Sequence, residues 1–232
     1  MPEVDREIPI LFEDDDIVVV NKPAGMVVHP APGHLEGSLA EELAAGRPGM
    51  AAVGSRERPG VVHRLDIETS GVMVFAKTPR AYARLRAAFE AHDRVKKTYL
   101  AVLHGAPRPA SGMLETTIGR KPWDARRMAV DVPGGRRAVT RWNTLERQGS
   151  LAMVEFEIET GRTHQIRVHA AHLGHPVVGD PLYGDREKDR RLAVRPGRQL
   201  LHAVRLEFPH PVTGKQVSFA ARPPDDLIYI RG

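Results

Sequence analysis

The sequence predicts an α+β protein whose strands form a largely antiparallel sheet flanked by helices. Strand-like runs outnumber helical ones and follow one another along the chain, which distinguishes this pattern from alternating βαβ units. The 232-residue chain is 41% hydrophobic and 27% charged, the composition of a folded globular protein. This length allows one large domain or two small ones, and we expect a single domain over residues 1–232.

The N-terminal segments predict two strands and a helix. Residues 10–25, "ILFEDDDIVVVNKPAG", have the pattern of two short strands on either side of an acidic turn, and Pro23 ends the second. Ser38 and Glu41 have the spacing of a capping box. "SLAEELAAG" is therefore predicted to be a short helix that ends at Gly46.

The segments that follow alternate between strand and helix patterns. Pro79 begins "PRAYARLRAAFEAH", where Tyr82, Leu85 and Phe89 recur at helical spacing. "VMVFA" and "KKTYLAVLHG" on either side are typical of strands. In "MVEFEIETG", apolar residues alternate with glutamates, which predicts a strand with one wet face. "THQIRVHAAHLG" then predicts a helix ended by Gly174.

The composition bounds the class of protein. No cysteine occurs, so disulfide scaffolds, thiolate metal sites and cysteine nucleophiles are excluded. The N-terminus carries acidic residues where a secretory signal needs a basic start, and the longest aliphatic run, "IVVV", is too short to span a bilayer. We therefore expect a cytoplasmic protein that does not associate with membranes.

One segment concentrates positive charge in a chain whose net charge is +5. Between Arg120 and Arg147 the chain has eight basic residues against three acidic ones, together with Trp123 and Trp142. Clustered arginines neutralise phosphates and aromatic rings stack on unpaired bases, so this composition favours RNA as a partner. A solvated, arginine-rich surface explains the same composition.

The stretch "VVHRLDIETSG" places Arg64 and Asp66 beside an apolar run. If residues 61–66 are extended, both side chains project to the same side and can face one cleft. A carboxylate at a strand end is where a rigid scaffold holds a reactive group, although an ordinary ion pair explains the two residues as well. The spacings of aspartic proteases, Gly-rich phosphate loops and nucleophile elbows are all missing here.

Histidines recur along the predicted C-terminal helix, at positions 164, 169, 172 and 175. Imidazoles three residues apart on a helix share a face and can bind a metal, but the glutamate of a zincin motif is missing between them. Hydrogen-bonding histidines on the helix surface or in the core are the alternative. Arg167 lies one turn from His164 and can be aimed at an anion instead.

Two long motifs resemble a known family. "HRLDIETSG" (63–71) resembles the HRLDxxTSG signature of the RluA-type family of RNA pseudouridine synthases, and "TGRTHQIRVHAAHLGHPVVGDPLYG" (160–184) resembles a second block of that family. "EDDDIVVVNKPAGMVVHPAPG", "KKTYLAVLHG" and "LLHAVRLEFPHPVTG" agree in the same order. The resemblance implies the pseudouridine synthase fold, a mixed, largely antiparallel bent sheet flanked by helices around a central active-site cleft.

The resemblance also implies roles for single residues. Asp66 matches the catalytic aspartate, Arg167 the basic residue that pairs with it, and Tyr99 the tyrosine that packs on the target base. The reaction moves the bond at ribose C1′ from uracil N1 to C5, and it needs no cofactor and no metal. Asp66 either attacks carbon or takes a proton from the ribose, and the sequence leaves both routes open.

Four further residues are implied on the substrate-binding side: Arg64, Leu201, His63 and Thr69. Leu201 matches the apolar residue that closes the pocket floor. Arg64 lies beside the aspartate, where a guanidinium can fill the stack that a flipped uridine leaves. A structural ion pair is the alternative role for Arg64.

The expected partner is RNA. "HPAPGHLEGSL" (29–39) is closer to the ribosomal branch of the family than to the transfer-RNA branch, so we expect 23S ribosomal RNA, with transfer RNA as the alternative. The family blocks begin within the first dozen residues, and we therefore expect no N-terminal S4 domain. We also expect a protein that acts as a monomer. A non-catalytic RNA-binding or assembly factor on the same fold, and a metal hydrolase, are the remaining alternatives.

Overall fold

A computed structural model describes residues 8–30, 36–92 and 94–228. The chain forms two compact units, one of Met1–Val95 with Arg205–Ala221 and one of Lys96–Val204 with Arg222–Gly232. Each unit thus combines two separate parts of the chain. The expectation of a single domain over residues 1–232 stays a prediction.

The described residues form strands and helices that we number in chain order. The first half contains β1 (Ile10–Glu13), β2 (Ile17–Lys22), α1 (Leu39–Ala45), β3 (Gly54–Ser55), β4 (Arg58–Pro59), β5 (Ser70–Ala76), α2 (Pro79–Ala91) and β6 (Lys96–His104). The second half contains β7 (Ser111–Lys121), β8 (Asp124–Val130), β9 (Arg136–Gln148), β10 (Leu151–Ile158), α3 (Gln165–His172), α4 (Arg186–Arg190), β11 (Leu201–Pro209), β12 (Gln216–Ala220) and α5 (Asp225–Ile228).

The first unit is built around a buried strand. β2 pairs antiparallel with β1 and with β5, and residues 205–209 of β11 pair antiparallel with β12. Helix α2 begins at the N-cap Thr78, whose side chain accepts a hydrogen bond from the backbone N–H of Ala81. The core joins these elements through buried apolar side chains, among them Ile17, Val19, Val72, Val74, Leu85, Phe89, Leu206 and Phe208.

Among the described residues of the second unit, five strands follow one another in the order β6, β10, β9, β7 and β8, and every neighbouring pair of these is antiparallel. β7 and β8 form a hairpin whose turn is residues 122–123. Val168 of α3 packs with Ile118 of β7 and Ala138 of β9. This packing holds the second sequence block of residues 160–184 against the sheet.

The local predictions agree with this structure. The α+β class is confirmed, because all strand pairs with a described register are antiparallel. Helix α1 carries the predicted capping box between Ser38 and Glu41. In β10, Val154, Phe156 and Ile158 are buried, as their alternation with glutamates predicts.

One local expectation is conditional on an extended segment 61–66, and the structure assigns no strand there. The segment 61–66 forms no strand, because only Val61 makes a β-bridge, to Phe75, and residues 62–63 form a bend. A turn at residues 67–68 follows and leads into β5. The central residues of "HPAPGHLEGSL", 31–35, lie outside the described residues. No helix in the described ranges is both long and apolar enough to cross a membrane.

Candidate active site

Asp66 lies in the loop that leads from Val61 into β5. The backbone N–H of Thr69 donates to the carbonyl of Asp66 at 3.1 Å, which closes a turn around residues 67 and 68. The Asp66 side chain is half-buried, while Leu65 before it is buried. The loop thus presents a carboxylate from a closed turn directly before a fully buried strand.

Lys22 fixes this loop from the end of β2. Its side chain is fully buried, and its Nζ donates to the carbonyls of Pro23 (2.9 Å), Met26 (2.8 Å) and Ile67 (2.8 Å). The N–H of Gly25 donates to the same Ile67 carbonyl at 3.0 Å. A buried ammonium group is stable only with such partners, so the contact between Lys22 and the residue after Asp66 is firmly held.

Sequence reasoning missed the role of Lys22. Its only signal was a charged residue at the end of the apolar run "IVVVN", directly before a proline turn. A lysine at a strand end is ordinarily exposed, so its burial depends on contacts with residues far along the chain.

Two residues of the first motif have structural contacts. The His63 ring stacks on Phe89 of α2, with centroids 4.7 Å apart and planes 16° apart. The N–H of Val74 in β5 donates to His63 Nε2 at 3.1 Å, so this nitrogen accepts and the proton of a neutral ring lies on Nδ1. Thr69 is buried at the entry to β5. Their contact with substrate stays a prediction.

Arg64 is exposed and, in the part of the chain that the structure describes, forms no ion pair with Asp66. Burial lowers the pKa of His29, and the nearby cations of Arg58 and Arg64 lower it further. The Arg64 guanidinium thus lies close enough to His29 to act on its charge, and the contact of Arg64 with RNA stays a prediction.

The second unit contributes a buried ion pair on α3. Arg167 is 4% exposed, and its guanidinium donates to Asp180 from Nε (2.6 Å to Oδ2) and Nη2 (2.8 Å to Oδ1). The N–H groups of Leu182 and Tyr183 donate to Asp180 Oδ1 as well. Burial alone would raise the pKa of Asp180, but Arg167 and these N–H groups hold it below its ordinary value.

Tyr183 extends this cluster to the β7–β8 hairpin. The Arg167 guanidinium lies over the Tyr183 ring, 5.1 Å from its centroid. The Tyr183 hydroxyl accepts from the N–H of Met128 in β8 at 2.7 Å and lies 2.9 Å from His164 Nδ1. Asp180 and Tyr183 were not identified from the sequence, although both lie within the second family block, in "GDPLYG".

Tyr99 and Leu201 are both buried in the second unit. Tyr99 is in the middle of β6, in register with Phe156 of β10, and is 8% exposed. Leu201 begins β11 and is 4% exposed. The implied active-site residues therefore divide between the two units, with His63, Arg64, Asp66 and Thr69 in the first and Tyr99, Arg167 and Leu201 in the second. The pairing of Arg167 with Asp66 stays a prediction.

Three histidines of the second block, His164, His169 and His175, lie within hydrogen-bonding distance of groups inside the protein. Both ring nitrogens of His169 lie near threonine hydroxyls, at 2.8 Å from Thr140 Oγ1 and 3.0 Å from Thr116 Oγ1. Burial, with a smaller effect of nearby His172, lowers the pKa of His169 to about 4. Within the described ranges no three His, Cys, Asp or Glu side chains form a cluster suited to a metal ion.

The two tryptophans of the basic segment differ. Trp142 is 8% exposed, and its Nε1 donates to the carbonyl of Pro109, so the expectation that it can meet RNA is wrong. Its ring packs close to Gly112 of the neighbouring strand β7. Trp123 is fully exposed at the turn of the β7–β8 hairpin and can still stack on a base.

Comparisons with known proteins identify the family. The profile of the RNA pseudouridylate synthase family matches residues 16–172. A Synechocystis protein described as an uncharacterized RNA pseudouridine synthase is 42% identical over 98% of this chain and 71% of its own length. Ribosomal large subunit pseudouridine synthase D of Neisseria meningitidis is 45% identical over 96% of this chain and 60% of its own length.

A solved structure agrees. Human RNA pseudouridylate synthase domain containing 1 matches with a TM-score of 0.78 and 28% identity, over 99% of this chain and 90% of that one. The matches define a class, the isomerases that modify RNA. This chain belongs to the RNA pseudouridine synthase family within that class, as its two motifs predict. It spans between 60% and 71% of the length of the curated relatives it matches first.

Proposed function

We propose that this chain isomerises uridine to pseudouridine in 23S ribosomal RNA and that Asp66 is its catalytic group. The observation that carries the proposal is the fixed turn that contains Asp66. In this turn the N–H of Thr69 donates to the carbonyl of Asp66, and Lys22 Nζ donates to the carbonyl of Ile67. A reactive carboxylate needs such a support, because small displacements of a catalytic group lower its rate strongly.

The proposed reaction balances without a second reactant. The bond from uracil N1 to ribose C1′ breaks, the base turns, and a bond from C5 to C1′ forms. The proton lost from C5 is matched by the proton gained at N1, so the product is an isomer of the substrate. Asp66 assists departure of the base either by attacking carbon or by taking a ribose proton.

Arg167 and Tyr99 have supporting roles in this proposal. A guanidinium held by Asp180 has a fixed position, and it offers a negative partner such as Asp66 a preorganised cation. Tyr99 presents its ring from a rigid, buried strand, which suits packing against a flipped uracil. The reaction is proposed to run on a uridine that has left its stack, because C1′ and C5 are out of reach inside a helix.

The ribosomal target rests on relatives whose names give their substrate. Several are ribosomal large subunit pseudouridine synthases D, at 41–47% identity. Pseudouridine mapping in cells with and without this gene tests the target. In cells without the gene, we expect pseudouridine to be lost at positions in 23S ribosomal RNA. Loss confined to transfer RNA would show that the target is transfer RNA instead. Unchanged maps in both RNAs would favour a non-catalytic assembly factor and contradict the proposal.

A further inference from the structure

A cavity in the second unit collects positive charge. It has a volume of about 390 Å³ and lies between the β7–β8 hairpin, the start of β9 and the loop before α3. Its lining includes four arginines and two further polar residues: Arg120, Arg126, Arg136, Arg162, Thr163 and His164. Among the described residues that line it, none carries a carboxylate.

Two of these four arginines donate to backbone carbonyls. Arg120 Nη1 donates to the carbonyl of Ala125 at 2.7 Å, and Arg162 Nε donates to the carbonyl of Arg137 at 2.8 Å. Arg136 is exposed and, as far as the structure describes the chain, has no ion-pair partner. Arg126 forms a long ion pair with Asp124, with 3.7 Å between Nε and Oδ1, and its backbone N–H donates to the same oxygen at 3.2 Å. Asp124 thus offsets part of the charge of Arg126, and the carbonyls that Arg120 and Arg162 contact carry no net charge, so the protein neutralises the positive charge of the cavity only in part.

The crowding of cations is visible at Arg162. Burial lowers the pKa of this guanidinium, and the nearby charges of Arg136 and Arg137 lower it further. Like charges held close together repel one another, and an anion placed between them relieves that repulsion. The cavity is therefore electrostatically suited to a negatively charged group.

The loop that carries Arg162 is rigid. The side chain of Gln165 is buried, and its Oε1 accepts from the Thr160 hydroxyl (2.8 Å) and from the Arg162 N–H (3.0 Å). Gln165 Nε2 donates to the carbonyl of Val139 in β9 at 2.9 Å. Because the loop is already ordered, the binding of an anion there includes little free-energy cost for ordering the loop.

Trp123 lies at the hairpin turn next to the same cavity. It follows Lys121 by two residues, and the cavity residues Arg120 and Ala125 lie on either side of the turn. The residue has a left-handed φ of 70° and its side chain is fully exposed. A fully exposed indole beside a cationic cavity is the arrangement that binds a phosphate and a neighbouring unpaired base together.

We propose that this arginine cavity binds a phosphodiester group of single-stranded RNA while Trp123 stacks on an unpaired base beside it. The inference deepens the proposed function and rests on it for the identity of the partner. The cavity contributes affinity without reading sequence, because arginines contact phosphate and an indole stacks on any base.

A uridine-free oligoribonucleotide tests the cavity without involving catalysis. Binding is measured by fluorescence anisotropy for the wild type, Arg136→Gln, Arg162→Gln and the control Arg190→Gln, an exposed arginine of α4 in the same unit. Each cavity variant is expected to bind about tenfold more weakly, since it loses a charge-assisted contact. The slope of log K against log salt should fall by about 0.7 per lost phosphate contact. Arg190→Gln should match the wild type.

Two further measurements distinguish the contact of the cavity with phosphate from the stacking of Trp123 on a base. Inorganic phosphate, at constant ionic strength set with chloride, should displace the oligoribonucleotide from the wild type more readily than from Arg136→Gln. Trp123→Ala should weaken binding about fivefold or more and leave the salt slope unchanged, because indole carries no charge. Thermal unfolding of each variant checks that it is folded. Arg136→Gln should disturb folding least, because the Arg136 side chain is exposed.

The outcomes distinguish this inference from the proposed function. Equal RNA affinities and salt slopes for Arg136→Gln, Arg162→Gln and Arg190→Gln would overturn the cavity site, whatever the enzyme does to uridine. Weakened binding by the two cavity variants alone would support the site even if the wild type modified no uridine, in which case only the proposed function would fail.

Discussion

Arg167 and Asp180 form a buried, two-pronged ion pair, with Nε to Oδ2 at 2.6 Å and Nη2 to Oδ1 at 2.8 Å. The two residues are 13 positions apart, on α3 and on the loop that follows the helix. Further N–H groups of that loop complete the coordination of the carboxylate. The pair therefore fixes both the position of the guanidinium and the path of the chain through "GDPLYG".

Replacing Asp180 with asparagine should destabilise the protein. The change leaves a buried guanidinium without its carboxylate, which costs about 3 to 5 kcal/mol in comparable buried pairs. Urea denaturation at neutral pH measures the free energy of unfolding, with Asp15→Asn as the exposed control. The pair would be unimportant for stability if Asp180→Asn unfolded at the same urea concentration as the control.

The pH dependence of stability should reveal buried His169. Its pKa is lowered to about 4 in the folded protein, so the unfolded chain takes up a proton first as the pH falls below about 6.5. The His169 contribution is thus complete above that pH and is lost between pH 6.5 and 4, by up to about 1.4 kcal/mol per pH unit.

His169→Gln provides the comparison, because glutamine does not titrate. The wild type should lose stability relative to this variant over the same pH range in urea denaturation. Parallel stability curves for the two proteins would mean that His169 titrates normally in the fold.

Replacing Lys22 with methionine should damage the loop of Asp66. The change removes the donor of the buried Met26 carbonyl and one of the two donors of the Ile67 carbonyl, which keeps the N–H of Gly25, at a cost of about 1 to 3 kcal/mol. We expect a lower midpoint of thermal unfolding and a lower rate of pseudouridine formation, with RNA affinity maintained. The exposed Lys215→Met is the control, and a Lys22→Met protein as stable and active as that control would refute the anchoring role.

Arg64 should matter for RNA and not for folding. Because its side chain is exposed and has no ion pair within the described residues, Arg64→Gln should change the free energy of unfolding by less than about 0.5 kcal/mol. Pseudouridine formation should fall about tenfold if the guanidinium stacks on bases. A large loss of stability, with normal activity per folded molecule, would instead favour a structural ion pair.

The sequence patterns predicted the local structure well. Alternation along "MVEFEI", the capping box of α1 and the helical spacing in α2 each depend on residues a few positions apart, and all three are confirmed. The two family motifs likewise predicted the family. Short-range patterns carry this information because strand and helix periods are themselves short-range.

The contacts that support the site could not be predicted in the same way. Lys22 meets the carbonyl of Ile67 across 45 residues, and no periodicity encodes such a contact. The burial of Trp142 depends on the glycine opposite it in β7 rather than on its basic neighbours. The bend after Val61 is likewise set by tertiary contacts, such as the hydrogen bond between His63 and Val74.

The most direct test of the central claim is pseudouridine formation by Asp66→Asn. The purified variant is incubated with 23S ribosomal RNA from cells that lack this gene, beside the wild type and the exposed control Asp15→Asn. The wild type and the control should form pseudouridine without added cofactor or metal, whereas Asp66→Asn should form none and still bind the RNA. Full conversion by Asp66→Asn would contradict the catalytic role of Asp66.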